Sequence, residues 1–464
     1  MAIWAPNLAG RRGPKYLQIV EALAEDIASG ALPADTRLPP HRALAWRLGL
    51  SANTTSRAYA EGVRRALLRG EIGRGTFVRA AQSPLRDGSA GDLRRRSSGP
   101  VDLSRNLPLP GLAEPHIRRV LSEIGRGDGL PALLDYQTDA DLSRHSEAAA
   151  RWLAACGLEA ASGEAIVTNG AQHGLFCTLM ALLNPGDLLL VEALSYAPIR
   201  AMSERLGLKC RTVAMDSAGL CPDALKALCL TAAPKALYLS PTLQTPTTST
   251  LSPSRRRAVA EIARHHDLTL IEDDVFGLLK PDRPLPIAAV APERTVYVSS
   301  VSKCVAPGLR VGYLRAPRNL IPALRQAVNL SAWMTPPVTS EIVARLILDG
   351  TAASLAREQR AAAARRQRLA RCVLKDRDYA ADPHGLHIWL PLPEGWRADL
   401  FRLTAERWGV LVAEARSFAL SPAESPEAIR ICLSHEASEA RLQEGLAVVE
   451  ALLGQPSAPE NLIV

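Results

Sequence analysis

Long apolar segments and paired cysteines are both missing from this sequence of 464 residues. No window reaches the roughly 18 continuous apolar residues of a membrane span, and the N-terminus has no apolar stretch of signal-peptide length. The eight cysteines are scattered and include no Cys-x-x-Cys pair, which argues against a zinc site or a disulfide framework. We therefore expect a reduced, cytoplasmic protein that has no membrane segment and binds no metal.

The chain also lacks an internal repeat of roughly 20–50 residues and the biased composition of collagen-like or disordered proteins. Apolar residues make up 47% of the chain and charged residues 22%, which are ordinary values for a globular protein. Because this length exceeds what one hydrophobic core usually organises, we expect about two or three folding units.

An excess of one charge occurs in only one part of the chain. Residues 1–80 hold 12 lysines and arginines against 6 acidic residues, and residues 81–100 hold 4 against 2. The other 364 residues carry 39 of each sign, so the whole formal charge of +8 belongs to the first hundred residues. A basic end on a neutral body suggests a nucleic-acid-binding module, although charge alone fits a solvated basic face equally well.

The composition divides the chain into a head, a linker and a body. Residues 81–100 are rich in Ser, Gly, Pro and Arg, which predicts a flexible basic linker after an N-terminal domain at 1–80. Beyond the linker, helical patterns alternate with strand-like apolar runs at 165–168, 188–193, 236–240, 268–274 and 295–300. This alternation predicts an α/β fold with a mostly parallel sheet. We expect the body at 101–464 to have a large subdomain at about 135–330 and a small α/β subdomain at about 350–464.

The head contains a pattern of short helices and tight turns. Apolar spacing predicts helices at 15–28 and 41–48, and Gly49 then makes a turn. Ser51 is suited to cap a third helix, because its hydroxyl can accept a free backbone N–H. Two helices joined by a glycine turn form a helix-turn-helix, and EIGRGTFV at 71–78 predicts a two-strand wing.

The head resembles the winged helix-turn-helix of GntR-type bacterial regulators in LPPHRALAWRLGLS, RAY and GRGTFV, which cover roughly residues 14–79. The resemblance implies binding to double-stranded DNA, with the start of the recognition helix reading base edges. Ala52 stands where the family often has Arg, which removes one contact. The residues that we expect to touch DNA are Arg42, Ser51, Asn53, Thr54, Arg57, Arg74, Gly75 and Thr76.

A lysine in an ordered neighbourhood is the strongest chemical signal of the body. In SSVSKCVAPGLRVGYL, Lys303 follows an apolar strand and the two hydroxyl residues Ser300 and Ser302, and it precedes Arg310 by seven residues. A lysine near hydroxyls and an arginine suits a Schiff base beside a bound phosphate ester. This segment alone predicts a site on a loop at the edge of the sheet.

Three further features complete the pattern. Asp273, at the end of another predicted strand, can keep a pyridinium nitrogen protonated. TNGAQHG, at 168–174, predicts a strand-to-helix turn whose backbone N–H groups suit a phosphate. Tyr196 follows the predicted strand at 188–193 and can lie flat on a ring.

Over about residues 100–455 the sequence resembles the fold-type I pyridoxal 5′-phosphate (PLP) enzymes, the aspartate aminotransferase superfamily. The resemblance implies that Lys303 bonds covalently to PLP, that Asp273 pairs with its ring nitrogen and that Tyr196 stacks on its ring. Arg430, in AIRICLS, would grip a substrate carboxylate, and Tyr136 would reach the phosphate in a partner subunit. The other residues that we expect to contact the cofactor are Gly170, Ala171, Gln172, Thr245, Ser300, Ser302 and Arg310.

Two departures from that superfamily affect the expected chemistry. Thr245 stands where an Asn usually precedes Pro, and Phe276 stands where a Tyr is usual. Both usual residues hydrogen-bond the phenolic oxygen of the cofactor, and each hydrogen bond to a charged group is worth about 1.5–3 kcal/mol. We therefore expect cofactor binding to survive and efficient transamination to be impaired.

A GntR-type head joined to an aminotransferase-like body resembles the MocR family of transcriptional regulators over nearly the whole chain. The resemblance implies a homodimer that senses PLP or an amine and binds an operator with two half-sites. An amino acid or amine anchored by Arg430 would displace Lys303 from the cofactor and reposition the heads. A working aminotransferase with an accessory head and a cofactor-free structural dimeriser stay open as alternatives. His173, His384 and His387 are expected to satisfy local hydrogen bonds rather than to bind metal.

Overall fold

The computed structural model describes residues 4–8, 11, 13–28, 31–33, 36–64, 67–71, 75–78, 99–137, 143–160, 164–421 and 425–455. Contacts divide the chain into two units, Met1–Arg94 and Arg95–Val464. Arg74, at the expected wing tip, and most of the expected linker lie outside the described residues. Among the helices of the described part, none combines the length and the apolarity that a membrane span needs.

The first unit is a winged helix-turn-helix. Its elements are α1 (Lys15–Ala28), α2 (His41–Leu48), α3 (Ala52–Arg64), β1 (Leu68–Glu71) and β2 (Gly75–Val78). Helices α1 and α2 both pack against α3, around the buried side chains of Leu23, Leu44 and Tyr59. The helices predicted at 15–28 and 41–48 are confirmed, because their apolar positions face this core.

Local hydrogen bonds fix the turn and the wing of the first unit. Gly49 ends α2 with φ +63°, a conformation that glycine adopts without strain. The Ser51 hydroxyl accepts the Thr54 N–H at 3.1 Å, which confirms the predicted cap of α3. Strands β1 and β2 pair antiparallel. The Leu38 N–H donates to the Thr76 carbonyl at 2.8 Å, so the segment before α2 pairs with the other side of β2.

The second unit is built from alternating strands and helices. Its helices are α4 (Glu114–Arg126), α5 (Ser143–Ala155), α6 (Ala171–Leu182), α7 (Pro198–Arg205), α8 (Pro222–Ala232), α9 (Pro253–His265), α10 (Ile287–Val290), α11 (Ile321–Ala332), α12 (Pro337–Leu348), α13 (Thr351–Val373), α14 (Ala398–Arg407) and α15 (Glu439–Leu453). Its strands are β3 (Val101–Asp102), β4 (Ala165–Thr168), β5 (Leu188–Glu192), β6 (Lys209–Val213), β7 (Met215–Asp216), β8 (Gly219–Leu220), β9 (Ala236–Leu239), β10 (Thr269–Asp273), β11 (Thr295–Ser300), β12 (Gly312–Arg315), β13 (Ala380–Ala381), β14 (His387–Pro391), β15 (Val410–Leu411), β16 (Ala413–Glu414) and β17 (Ala428–Cys432).

Seven strands form the large sheet in the order β4-β12-β11-β10-β9-β5-β6. The neighbouring pairs from β11 to β6 are parallel, whereas β12 runs antiparallel to both β11 and β4. The mostly parallel sheet and its five predicted strands are thus confirmed. The carboxyl ends of β4, β5, β9, β10 and β11 lie at one edge, the place where open α/β sheets bind ligands.

A smaller antiparallel sheet in the order β13-β14-β17-β16 forms the second subdomain with α13, α14 and α15. The start of the second unit joins this subdomain, because β3 pairs with β15 and both Val101 and Leu103 belong to its apolar core. The chain then passes to the large sheet through residues 104–113, and this passage brings Asn106 to the edge where the strands end.

Candidate functional site

One cavity of about 190 Å³ lies at the carboxyl edge of the large sheet. Asp273 ends β10 and Ser300 ends β11, while Tyr196 follows β5, so the carboxyl ends of three strands of one sheet supply parts of its walls. The expected site residues that line the cavity are Ala171, Gln172, Tyr196, Thr245, Asp273, Ser300, Ser302, Lys303, Arg310 and Arg430. Residues scattered over 260 positions of sequence are therefore brought together, most of them by the carboxyl edge of the large sheet and Arg430 by the small subdomain.

Lys303 lies in the loop after β11 with its amine inside the cavity. Its Nζ donates to the backbone carbonyl of Asn106 and lies 5.3 Å from the ring centroid of Phe276. Burial, and then the positive charge of Arg430, lower the pKa of Lys303 to about 8. A lysine with this pKa is a nucleophile at pH values close to neutral, because an appreciable fraction of its amine is unprotonated.

Asp273 has one carboxylate oxygen paired and one unpaired. Its Oδ2 accepts the hydroxyl of Tyr238 at 2.8 Å, whereas its buried Oδ1 has no partner among the described residues. Burial raises the pKa of Asp273 to about 6, although the Tyr238 hydrogen bond acts in the opposite direction. An unpaired buried acceptor of this kind requires a donor, and a protonated ring nitrogen supplies one.

The start of α6 forms a cradle for an anion. Gly170 precedes the helix with φ +81°, and no side chain caps the first backbone N–H groups. A Cβ atom at Gly170 would lie 2.6 Å from Nη2 of Arg310, and one at Gly312 would lie 2.6 Å from the Gly170 carbonyl carbon. The two glycines thus let an arginine and a strand approach a helix N-terminus, where backbone dipoles favour negative charge.

Hydroxyl groups and an aromatic ring surround this cradle. Ser300 and Ser302 are buried, and the Ser302 N–H donates to the Ser300 hydroxyl at 3.4 Å. The Tyr196 hydroxyl donates to Oε1 of Gln172 at 3.2 Å, which ties the end of β5 to the first turn of α6. Burial raises the pKa of Tyr196 to about 12, so the ring stays neutral at physiological pH.

Arg430, on β17, brings a cation from the small subdomain to the cavity. Its Nη2 donates to the Ser104 carbonyl at 2.6 Å and its Nη1 lies 3.4 Å from the Thr245 hydroxyl, while its buried Nε has no partner among the described residues. The guanidinium carbon lies 4.6 Å from the ring centroid of Phe418. No acidic side chain of the described part pairs with Arg430, which leaves it available to a carboxylate.

Taken together, the groups of the cavity fit PLP. The unpaired Oδ1 of Asp273 matches a pyridinium N–H, and the uncapped start of α6 beside Arg310 matches a phosphate. The amine of Lys303 matches an aldehyde.

Two residues of the cavity were not predicted from the sequence. Asn106 lines the cavity, and its Nδ2 lies 3.0 Å from Nδ1 of His387 and 3.5 Å from the Thr245 hydroxyl. Tyr238, on β9, holds Asp273 as described above. The neighbouring residues of Asn106 carry no motif, and Tyr238 reads as an ordinary core aromatic, so only the folded chain identifies them.

Each of the three histidines makes local hydrogen bonds or polar contacts, but they differ in which ring or backbone atoms take part. Nδ1 of His173 accepts the Asn169 N–H at 3.0 Å, and its Nε2 lies 2.9 Å from the Ser331 hydroxyl. Burial lowers the pKa of His387 to about 3, so that ring is neutral beside Asn106. For His384 the structure gives a backbone hydrogen bond to Asp382. Within the described ranges, no group of three or more His, Cys, Asp or Glu side chains could hold a metal ion.

Tyr136 lies outside the cavity. It is 72% exposed, and its ring centroid lies 5.6 Å from that of Trp333, which is 61% exposed. The two aromatic side chains thus contact each other at the surface. The expected role of Tyr136 toward a partner subunit stays a prediction.

The expected DNA-contacting residues of the head lie on α2, α3 and β2 and in the turn before α3. Arg42, Ser51, Asn53, Arg57 and Gly75 are exposed, whereas Thr54 and Thr76 are half-buried. Arg57 lies over the ring of Tyr16, with its guanidinium carbon 4.1 Å from the ring centroid. Arg37, which the sequence did not single out, approaches the wing, since a Cβ at Gly75 would lie 3.0 Å from its Nε.

Family models match both units. Residues 15–78 match the family described as bacterial regulatory proteins of the gntR family, and residues 100–449 match the family described as aminotransferase class I and II. The head is therefore a GntR-type DNA-binding domain, and the body is an aminotransferase-like domain of a fold that is PLP-dependent in general.

Individual relatives have the same organisation. The vitamin B6 salvage pathway transcriptional repressor PtsJ of Salmonella typhimurium is 30% identical over 421 residues, which cover 90% of this chain and 94% of that protein. A regulatory protein named MocR from Rhizobium meliloti is 26% identical over 77% of this chain and 76% of its own length. In fold, the body is similar to a kynurenine aminotransferase of Pyrococcus horikoshii, with a TM-score of 0.71, 23% identity, and coverage of 77% of this chain and 91% of that one. The chain therefore belongs to the MocR-type regulators of the GntR superfamily, in which a GntR DNA-binding head is fused to an aminotransferase-like domain.

Proposed function

We propose that this protein is a transcriptional regulator that binds promoter DNA through its head and senses PLP, or an amine that reacts with bound PLP, through its body. The observation that carries the proposal is the unpaired Oδ1 of Asp273 in the same cavity as the Lys303 amine. A buried acceptor without a donor costs about 1–3 kcal/mol, and the pyridinium of PLP offsets that cost. The DNA partner places the proposed activity in the cytoplasm.

Within the cavity we assign a role to each group of polar side chains. Lys303 would bond to the cofactor, and Asp273 would keep its ring nitrogen protonated. The phosphate would lie at the start of α6, against Ala171 and Gln172, with Ser300, Ser302 and Arg310 around it. Bound PLP would supply an aldehyde that bonds reversibly to primary amines.

Arg430 would select effectors that carry a carboxylate as well as an amine. Its unpaired Nε and its position on the small subdomain let it form two parallel hydrogen bonds to such a group. A ligand held there would contact both subdomains and favour the arrangement in which they close on it. We propose that this change in the body is what the DNA-binding heads respond to.

On the DNA side, the exposed start of α3 supports recognition in the major groove. Asn53 and Arg57 are suited to adenine and guanine respectively, and Arg42 is suited to a phosphate. The wing would add contacts near Thr76. Two heads in a homodimer would require two half-sites in the operator, and Tyr136 would complete the phosphate site of the partner subunit.

The alternative of a working aminotransferase is weakened by two positions in the cavity. Phe276 is buried near Lys303 and offers no hydroxyl, and the Thr245 hydroxyl lies within hydrogen-bonding distance of both Asn106 and Arg430. Phe276 therefore cannot supply the hydrogen bond that the usual Tyr gives to the phenolic oxygen, and the Thr245 hydroxyl, which accepts from both neighbours and keeps its own proton, replaces the usual Asn only in part. Turnover of amino and keto acids near ordinary enzyme rates, about 1–10³ s⁻¹, would favour the aminotransferase instead.

The proposal is tested by loading the full chain with PLP and titrating it with amines and amino acids, while its binding to its own promoter region is measured at fixed salt. We expect a visible absorption band that changes with the effective ligand, together with a change in DNA retention. Lys303→Ala should remove the band, and Arg57→Ala should weaken DNA retention without affecting the band. A band that persists in Lys303→Ala would exclude the assignment of the lysine.

A further inference from the structure

A second cleft lies between the two subdomains of the body, next to the Lys303 cavity. Its volume is about 400 Å³, and Tyr196 is the one described residue that lines both spaces. The loop after β5 and helix α7 form one wall, and residues 414–420 of the small subdomain form the other. Small organic ligands bind in spaces of this size.

Two buried polar atoms in the cleft wall have no partner among the described residues. Ser195 is only 4% exposed, and its hydroxyl makes no hydrogen bond. Glu414 pairs one carboxylate oxygen with Nε of Arg402 at 3.3 Å, but its buried Oε2 has no donor. Because buried polar atoms are usually paired, both atoms point to a ligand that supplies the missing hydrogen bonds.

The arginine side chains that line the same cleft make only weak or exposed ion pairs. The nearest acid to Arg416 is Asp399, whose Oδ2 lies 3.9 Å from its Nη1. Arg200 pairs with Glu204 one turn along α7 at 3.2 Å, and both side chains are largely exposed. Exposed pairs of this kind contribute little, so Arg416 can turn to an anion in the cleft at small cost.

We propose that this cleft binds a small carboxylate that also carries a hydroxyl or ammonium group. Arg416 and the Ser195 hydroxyl would hold the carboxylate, and Oε2 of Glu414 would accept a hydrogen bond from the second group. Ile199 and Leu420 supply apolar wall for the rest of the molecule. A carboxylate without a donor would leave Glu414 unpaired and therefore bind more weakly.

The position of the cleft couples it to the Lys303 cavity. Leu194 and Ala419 form a β-bridge across the two subdomains, and the Ser195 N–H donates to the Phe418 carbonyl at 2.8 Å. The ring of Phe418 in turn supports the guanidinium of Arg430. A ligand that contacts both walls favours the arrangement in which they are close, so it alters binding at Arg430, and the effect is reciprocal.

The test is calorimetric titration of the full chain with L-lactate and, in parallel, with propionate. Lactate carries a carboxylate and a hydroxyl but no amine, so it cannot react at Lys303, and the titration applies with or without added PLP. We expect lactate to bind about tenfold more tightly than propionate. Arg416→Gln should weaken lactate binding about tenfold or more, and Ser195→Ala should weaken it as well.

Two controls separate this cleft from the Lys303 cavity. Arg318→Gln alters an exposed arginine outside the cleft and should leave lactate binding unchanged. Arg430→Gln should weaken lactate binding less than Arg416→Gln does, because Arg430 lines only the other cavity and reaches the cleft only through Phe418. Binding that is lost in Arg430→Gln and kept in Arg416→Gln would overturn the proposal, as would the absence of lactate binding to a chain that still binds PLP.

Discussion

At the scale of single residues, three unpaired buried atoms meet in the candidate cavity. Oδ1 of Asp273, Oδ1 of Asn106 and Nε of Arg430 all lack partners among the described residues, and all three side chains line one cavity. Each such atom costs about 1–3 kcal/mol in a fold without a ligand. Because β10, β17 and residues 104–113 bring all three to one cavity, we interpret it as a site that a bound molecule completes.

The lowered pKa of Lys303 predicts how PLP binding depends on pH. Only the neutral amine attacks an aldehyde, so the association rate of PLP with the chain should rise with pH and level off above about 8, rather than near the usual 10.5. Stopped-flow absorbance at several pH values measures this midpoint. Arg430→Gln should move it upward, because the positive charge of Arg430 helps to keep the pKa low. A midpoint near 10.5 in the unmodified chain would contradict the assignment.

Asp273→Asn tests the proposed pairing with the ring nitrogen. Asparagine keeps the size of the side chain but removes the negative charge, so it no longer favours a protonated pyridine. We expect the dissociation constant of PLP, measured by equilibrium dialysis, to rise about tenfold or more. Asp223→Asn, on exposed α8, changes the same kind of side chain away from the cavity and should have no effect. Equal affinities in the two variants would remove the proposed role of Asp273.

At the scale of elements, local signals predicted the helices of the head and five strands of the large sheet, whereas other elements depend on long-range pairing. The start of α3 followed from its serine cap and β11 from a continuous apolar run, since both depend on adjacent residues. By contrast, β12 has only four residues and becomes a strand because it lies between β4 and β11. Asn106 likewise enters the site only because β3 anchors the start of the second unit in the small subdomain.

The contact between α5 and α12 predicts a dependence of stability on acid pH. Burial raises the pKa of Glu341, but hydrogen bonds from His145 and Arg345 outweigh it and lower that pKa to about 2. The stability that the carboxylate contributes is therefore complete above pH 4.5 and is lost as the pH falls toward about 2.

Glu341→Gln should reduce the free energy of urea unfolding by about 1–3 kcal/mol at neutral pH, because buried His145 and the partly exposed Arg144 and Arg345 lose their anionic partner. The difference between the variant and the unmodified chain should shrink at about pH 3, because the carboxylate is then largely protonated in the unfolded chain while it stays mostly ionised in the folded chain, so folding has to release a proton. Glu147→Gln, exposed on α5, serves as the control and should change little. A difference that is independent of pH would indicate packing rather than charge.

The cap of α3 predicts the local stability of the recognition helix. Ser51→Ala removes the acceptor of the Thr54 N–H and should destabilise α3 by about 1 kcal/mol. Hydrogen exchange of the α3 amides in the full chain measures this, and we expect faster exchange in the first turns. Ser56→Ala, exposed within the same helix, changes no cap and should not accelerate exchange. Similar exchange in both variants would mean that the cap contributes nothing.

At the scale of the whole molecule, the excess positive charge and the DNA-binding domain lie in the same part of the chain. The first hundred residues carry the entire formal charge of +8, and the family match to the GntR regulators falls within them. The body is neutral overall, so its arginines act at particular places such as Arg310 and Arg430 rather than by attracting DNA as a surface. In the proposed function, the heads would therefore respond to assembly and conformation of the body rather than to its charge.

Assembly is expected to use an exposed apolar surface of the body. Leu134, Tyr136, Leu330 and Trp333 are each more than 60% exposed, and the Tyr136 and Trp333 rings are in contact. Isolated apolar residues are common on protein surfaces. Large exposed apolar side chains that come close together, as Tyr136 and Trp333 do, indicate an interface instead. We expect this surface to be covered by a second copy of the chain in a homodimer.

Leu330→Glu places a charge on that surface and should shift the chain toward monomers in sedimentation equilibrium, because burying an unpaired carboxylate opposes association. The variant should also lose most of its affinity for an operator with two half-sites while it retains weak binding to one, since each head would then bind alone. Leu230→Glu changes an equally exposed leucine on α8 and should leave both measurements unchanged. A Leu330→Glu variant that stays dimeric would show that the chain associates through another surface, and the position proposed for Tyr136 beside the partner's site would then fail as well.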